Sequence, residues 1–109
     1  MKGAIKMKNS VFVVSCTDYD TYDHAIDNRY VAAVFDDYFS AVDFANIELN
    51  RLFAQVSEDK DSNVQLFPER IDNHVWVRSI SIDHSGLRTY GTEVAYEVEE
   101  FKVLKRKEN

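Results

Sequence analysis

The stretch "CTDYDTYDHAIDN", residues 16–28, holds most of what could do chemistry in this chain. It carries a thiol, a histidine, two tyrosines and four aspartates between two apolar runs. Four chemistries suit those types. A calcium loop needs oxygen ligands at positions 1, 3 and 5, a glycine at 6 and a glutamate at 12. Counted from Asp18, position 5 is Tyr22, position 6 is Asp23 and position 12 is Arg29. The pattern fails at each of those places. His24, His74 and His84 form no HxH or HxxxH pair of the kind that holds a transition metal. No metal or cofactor is expected.

Cys16 with His24 eight residues on could in principle form a nucleophile and base. A reactive thiol needs an exposed, electropositive setting. Cys16 instead ends the run Val11-Phe12-Val13-Val14-Ser15, so it reads as a small buried hydrophobe. Ser79, Ser81 and Ser85 lie near His84 without a nucleophile-elbow motif. Asp18/Asp20 and Glu97/Glu99 share a strand face at i,i+2, but acid–base work also needs a cleft and a raised pKa. No glycine-rich phosphate loop is present. The expectation is a protein that is not an enzyme.

Charge is the second clue. The net charge is −6 over 109 residues. Residues 1–8 carry +3 and residues 102–109 carry +3, which leaves −12 on residues 9–101. An acidic body with basic ends repels phosphates and anionic membranes and attracts basic protein surfaces. Direct nucleic-acid binding and membrane association are therefore not expected. Tyr19, Tyr22 and Tyr38 are interleaved with Asp18, Asp20, Asp23, Asp27, Asp36 and Asp37. Tyrosine supplies rigid contact area, and carboxylates pair with arginine. These nine residues are the candidate partner-binding set. Carboxylates spread over a rigid surface can also imitate DNA phosphates and occupy a basic nucleic-acid channel.

The remaining sequence must position that stretch. With 109 residues the chain suits one domain, 1–109, with a basic extension at 1–8 and a basic tail at 105–109. Met7 offers a second start. A single cysteine excludes an internal disulfide, and no apolar run approaches the ~20 residues of a membrane span, so a cytoplasmic protein is expected. Val11–Cys16 and Arg29–Phe35 read as strands, with a connection of about ten residues, long for a hairpin. Ser40 with Asp43 resembles a capping box, and Ala41, Ala45, Leu49, Leu52 and Val56 follow at helical spacing, predicting a helix over 40–56. Val64–Phe67 reads as a short edge strand before Pro68. "HVWVRSISID" alternates, with Trp76, Ile80 and Ile82 on one face. In "TEVAYEVEEFKVLK", Val94, Tyr96 and Val98 share a face, but the apolar positions restart one residue out of step at Phe101 and Val103. That predicts a β-bulge at Glu99–Glu100. The expected fold is α+β, an antiparallel sheet of four to five strands with one amphipathic helix on one face.

"VFVVSCTDYD", "RYVAAVFDDYFSAVDFA" and "EEFKV" together resemble small phage and prokaryotic proteins that open strand–strand–helix. The matching positions are Val34, Phe35, Asp36, Asp37, Ala41 and Ala45. The resemblance implies a phage or mobile-element origin, and by analogy an inhibitor of host defence of the anti-CRISPR or anti-restriction kind, acting in the host cytoplasm. The alternatives carried forward are a self-associating accessory domain that forms a homodimer through its sheet, and a small ligand- or metal-binding domain using the 16–28 loop.

Overall fold

A computed structural model describes residues 9–20, 23, 25–58, 62–67, 69–71, 75–84 and 90–104. The elements are β1 (Ser10–Asp20), β2 (Ile26–Phe35), α1 (Tyr38–Ser57), β3 (Ser62–Leu66), β4 (Arg70–Ile71), β5 (Val75–His84) and β6 (Tyr90–Lys102). All strand pairs are antiparallel, in the order β2-β1-β6-β5-β3, with the two-residue β4 also bridged to β5. This is the expected α+β arrangement: one helix packed on a five-strand sheet. β3 is an edge strand, as Pro68 suggested.

The helix forms because Ala41, Ala45 and Leu49 recur at i,i+4 and are fully buried. Alanines let the helix approach the sheet closely. Its contact surface is one face of the strands: Val14, Cys16, Trp76, Ile80, Ile82, Val94, Tyr96 and Val98. Phe35 and Phe44 (ring centroids 5.6 Å apart) and Phe12 and Tyr38 (5.8 Å, edge-on) close the core at the N-terminal end of the helix. Arg78, on the same face as Trp76, donates to the Asn46 side chain at 2.6 Å and gives this apolar contact a polar tie.

Two local expectations are corrected. The helix begins at Tyr38, not Ser40, because Asp37 is the cap. Asp37 is extended (φ −136°, ψ 151°), and its Oδ1 accepts the Ser40 backbone N–H at 2.8 Å. Ser40 is thus the capped residue rather than the capping one. The cap holds the Asp37 carboxyl below the usual carboxylate range, through the Ser40 side chain first and its backbone N–H second.

The second correction concerns β6, which has no bulge at Glu99–Glu100. Its register with β1 runs unbroken from Asp20↔Thr92 to Ser10↔Lys102, and Val75↔Glu99 continues the β5 register. Phe101 simply lies on the face opposite the helix, beside Val11. The apolar face changes at the end of the strand because the helix no longer covers it. The register shifts fall in β2 instead, where Ala32 and Asp27 have no opposite number in β1. Bulges in a long edge strand twist it and blunt its open hydrogen-bonding row.

On the face away from the helix, Arg29 lies opposite Thr17 and Glu97 opposite Ser15. The Arg29–Glu97 pair (3.8 Å) therefore crosses over β1. Thr17 beneath it is fully buried, and its Oγ1 has no hydrogen-bond partner among the described residues. An unsatisfied buried hydroxyl costs stability that an isosteric methyl does not. Thr17→Val is expected to raise the unfolding free energy by about 1 kcal/mol in urea titrations; a loss of stability would mean that the hydroxyl is bonded.

Candidate functional site

The acidic stretch is not the long loop that its composition suggests. β1 runs on to Asp20 and β2 starts at Ile26, so only residues 21–25 connect them. Thr17 and Tyr19 are good strand formers, and they alternate with Asp18 and Asp20, which point to the other face. Asp20 N–H donates to the Ala25 carbonyl at 2.9 Å, and Ala25 N–H donates to Asp23 Oδ1 at 3.0 Å. An aspartate side chain closing its own turn in this way needs no ligand.

The structure divides the candidate residues into two groups. Asp18, Tyr19, Asp20, Asp23 and Asp27 gather at the hairpin end of β1 and β2. Asp36, Asp37 and Tyr38 lie at the other end of β2, ten residues and about 30 Å away. Asp37 is occupied as the helix cap, and Tyr38 packs on Phe12 and Phe39. Tyr22 lies outside the described residues.

The hairpin end is joined by carboxylates that are distant in sequence. Glu93 of β6 lies opposite Tyr19 and Asp83 of β5 opposite Gly91, both on the face away from α1, opposite to Asp18 and Asp20. The last turn of α1, whose C-terminal half overlies this end, holds no basic residue to offset its negative dipole. Among the described residues, the nearby arginines are committed. Arg29 pairs with Glu97 on the opposite face, and Arg51 pairs with Glu48 at 2.6 Å.

Where α1 meets this end of the sheet there is an open cavity of about 300 Å³. Its lower wall is Cys16, Asp18, Tyr30, Val94 and Tyr96, and its upper wall is Glu48, Arg51, Leu52 and Gln55. Cys16 lies directly opposite Tyr30 on β2 and Tyr96 on β6, which flank its thiol. Burial pushes the thiol up from its ordinary value, and the two phenols only partly offset this. Tyr30 is raised, first by its bond to Cys16, and Tyr96 is raised chiefly by burial. All three groups thus keep their protons at neutral pH. Asp18 is raised as well, by burial first and then by the neighbouring Asp27 carboxylate.

Sequence reasoning identified Asp18 but missed Glu48, Arg51, Gln55 and Tyr96. Glu48 and Arg51 carried a signal, since i,i+3 places them together on one helix face. Tyr96 carried none, because its place opposite Cys16 depends on the β1–β6 register. Among the described residues, no group of three or more His, Cys, Asp or Glu side chains is placed to hold a metal ion. No described helix is long and apolar enough to cross a membrane. Comparison with protein-family models, with curated proteins and with solved structures finds no match to this chain.

The raised Asp18 has a consequence for stability. The folded state holds its proton more tightly than the unfolded chain does. Its contribution is therefore most favourable below the ordinary carboxylate value of about 3.9 and is lost as the pH rises through the raised folded value. Asp18→Asn is expected to raise Tm at pH 7 by about 2 °C, a small effect because the site is partly solvated, and to narrow that gain at pH 3. A lower Tm at pH 7 in the variant would contradict the assignment.

Proposed function

We propose that this chain is a non-enzymatic binding protein whose acidic hairpin end docks on a basic surface of another protein. The observation that carries the reading is the gathering of Asp18, Asp20, Asp23 and Asp27 at the hairpin end, with Asp83 and Glu93 on the other face of the same end of the sheet, where among the described residues Arg29 and Arg51 are already paired with Glu97 and Glu48. Charge concentrated on a rigid two-strand platform steers association with a partner of opposite sign. Tyr19 adds an aromatic surface there. The protonated Cys16 supports a binding role over a nucleophilic one, since the thiolate is the reactive form.

The finer reading is a phage-type inhibitor of a host defence or nucleic-acid-handling protein, with carboxylates standing where DNA phosphates would lie. Alternate carboxylates such as Asp18 and Asp20 lie about 7 Å apart on one strand face, a regular anionic row. A basic channel built for phosphates offers the matching arginines and lysines. The strand–strand–helix opening supports the same origin.

A second reading rests on a different observation. The sheet face away from α1 carries no second layer among the described residues, and Val31, Val34 and Phe101 there are 61%, 55% and 47% exposed. An apolar patch of this kind suits a homodimer through the sheet.

Immobilised protein incubated with host lysate is expected to retain a basic partner in low salt and release it in high salt. Replacing Asp18, Asp20, Asp23 and Asp27 together by Asn is expected to lower retention about tenfold or more, given up to about 1 kcal/mol for each exposed pair. Retention that ignores both salt and these changes contradicts the electrostatic reading. Sedimentation over a wide concentration range decides the second reading: a strict monomer at high concentration rules it out.

A further inference from the structure

We propose that the cavity between α1 and the acidic end of the sheet binds one alkyl cation, an ammonium or guanidinium group on a short aliphatic stem. The proposal rests on the docking reading and names the group that the docking surface takes in.

The lining holds two carboxylates, Asp18 and Glu48, and one guanidinium, Arg51. Glu48 and Arg51 satisfy each other at 2.6 Å. Asp18 is left over. Its charged neighbour is Asp27, which repels it, and the Cys16–Tyr30 pair beside it is uncharged at pH 7. Arg29, the nearest cation along β2, is drawn to Glu97 on the opposite face because its register partner is Thr17, not Asp18. A partly desolvated carboxylate with no cation is unfavourable in the free protein. A ligand cation supplies what the chain withholds.

The rest of the lining fits the same ligand. The Tyr30 and Tyr96 hydroxyls and the Gln55 amide have oxygen lone pairs that accept hydrogen bonds from a cation. Leu52 and Val94 offer an apolar wall to an aliphatic stem. The cavity, about 300 Å³, holds on the order of ten water volumes, enough for an arginine or lysine side chain. An anion would meet Asp18, Asp27 and Glu48. A neutral ligand would cover Asp18 without compensating it.

The cation has two sources with one chemistry: a free small amine or guanidine, or a side chain presented by the partner protein. The test uses both. Free n-butylguanidinium and n-butylammonium, and the capped peptide acetyl-Gly-Arg-Gly-amide, are titrated into the whole chain and followed by amide chemical shifts. The same peptide with citrulline in place of arginine is the neutral control. Saturable shifts are expected at residues 16–18, 51–55 and 94–96 with the cations, and at least tenfold weaker binding with citrulline.

Asp18→Asn is expected to weaken cation binding at least tenfold, while Asp43→Asn, at the other end of the helix, leaves it unchanged. Glu48→Gln frees Arg51 to compete for Asp18 and is expected to weaken binding too. Peptide binding tenfold tighter than the free cations assigns the site to a partner's side chain; equal binding assigns it to a small molecule. No saturable shift, equal binding of citrulline, or an Asp18→Asn variant that binds as well overturns the proposal. Cation binding without a retained protein partner overturns the docking reading alone. A retained partner without cation shifts overturns the cavity proposal alone.

Discussion

The structure depends on one packing contact, the burial of Ala41, Ala45 and Leu49 against Val14, Trp76, Ile80 and Val98. Two alanines on the contact stripe bring the helix backbone close to the strands, and Leu49 with the Trp76 ring supplies the bulk that alanine lacks. That contact fixes the direction of the helix. Its capped N-terminus lies over Phe12 and Phe35, and its C-terminal half lies over the hairpin end. A C-terminus with no basic residue in its last turn therefore adds its negative dipole to the end that already holds Asp18, Asp20, Asp23 and Asp27.

The polarity of the molecule follows from strand register. β1 pairs with both β2 and β6, so it sets Tyr19 beside Glu93 and carries Cys16 to Tyr30 and Tyr96. The same register sends Arg29 to Glu97 on the far side of the sheet. Arg29 sits one residue from Asn28, the partner of Asp18, and a single step along a strand reverses the face. For this geometric reason Asp18 gains no pairing from Arg29, although the arginine lies close to it in sequence.

The helix was legible in the sequence because Ala41, Ala45 and Leu49 recur with its period, and β5 because Trp76, Ile80 and Ile82 alternate. The ends of elements were less so. Asp37 precedes the apolar period by four residues, and Ser40 with Asp43 imitates the capping pattern that Asp37 fulfils. Asp18 and Asp20 disfavour a strand by type, yet β1 extends through them because β6 pairs with it over its whole length. One strand's pattern cannot separate a register slip from a change of covered face, so the misfit at Phe101 imitates a bulge. The bulges in β2 left no mark, since Ala32 and Asp27 suit either conformation. The nine candidate residues looked continuous along the chain. The ten-residue β2 parts them, and it leaves Asp36, Asp37 and Tyr38 with the helix start rather than with the acidic end.

The central claim is that Asp18 is a partly buried carboxylate that no cation among the described residues pairs, at the root of the proposed docking surface. A carboxyl-detected NMR titration of the intact chain measures this directly, with Asp37 as an internal reference. Asp18 is predicted to titrate above the ordinary aspartate value of about 3.9 and Asp37 below it. An Asp18 that titrates at or below that value would show that the chain already supplies it with a positive partner, and would contradict the account.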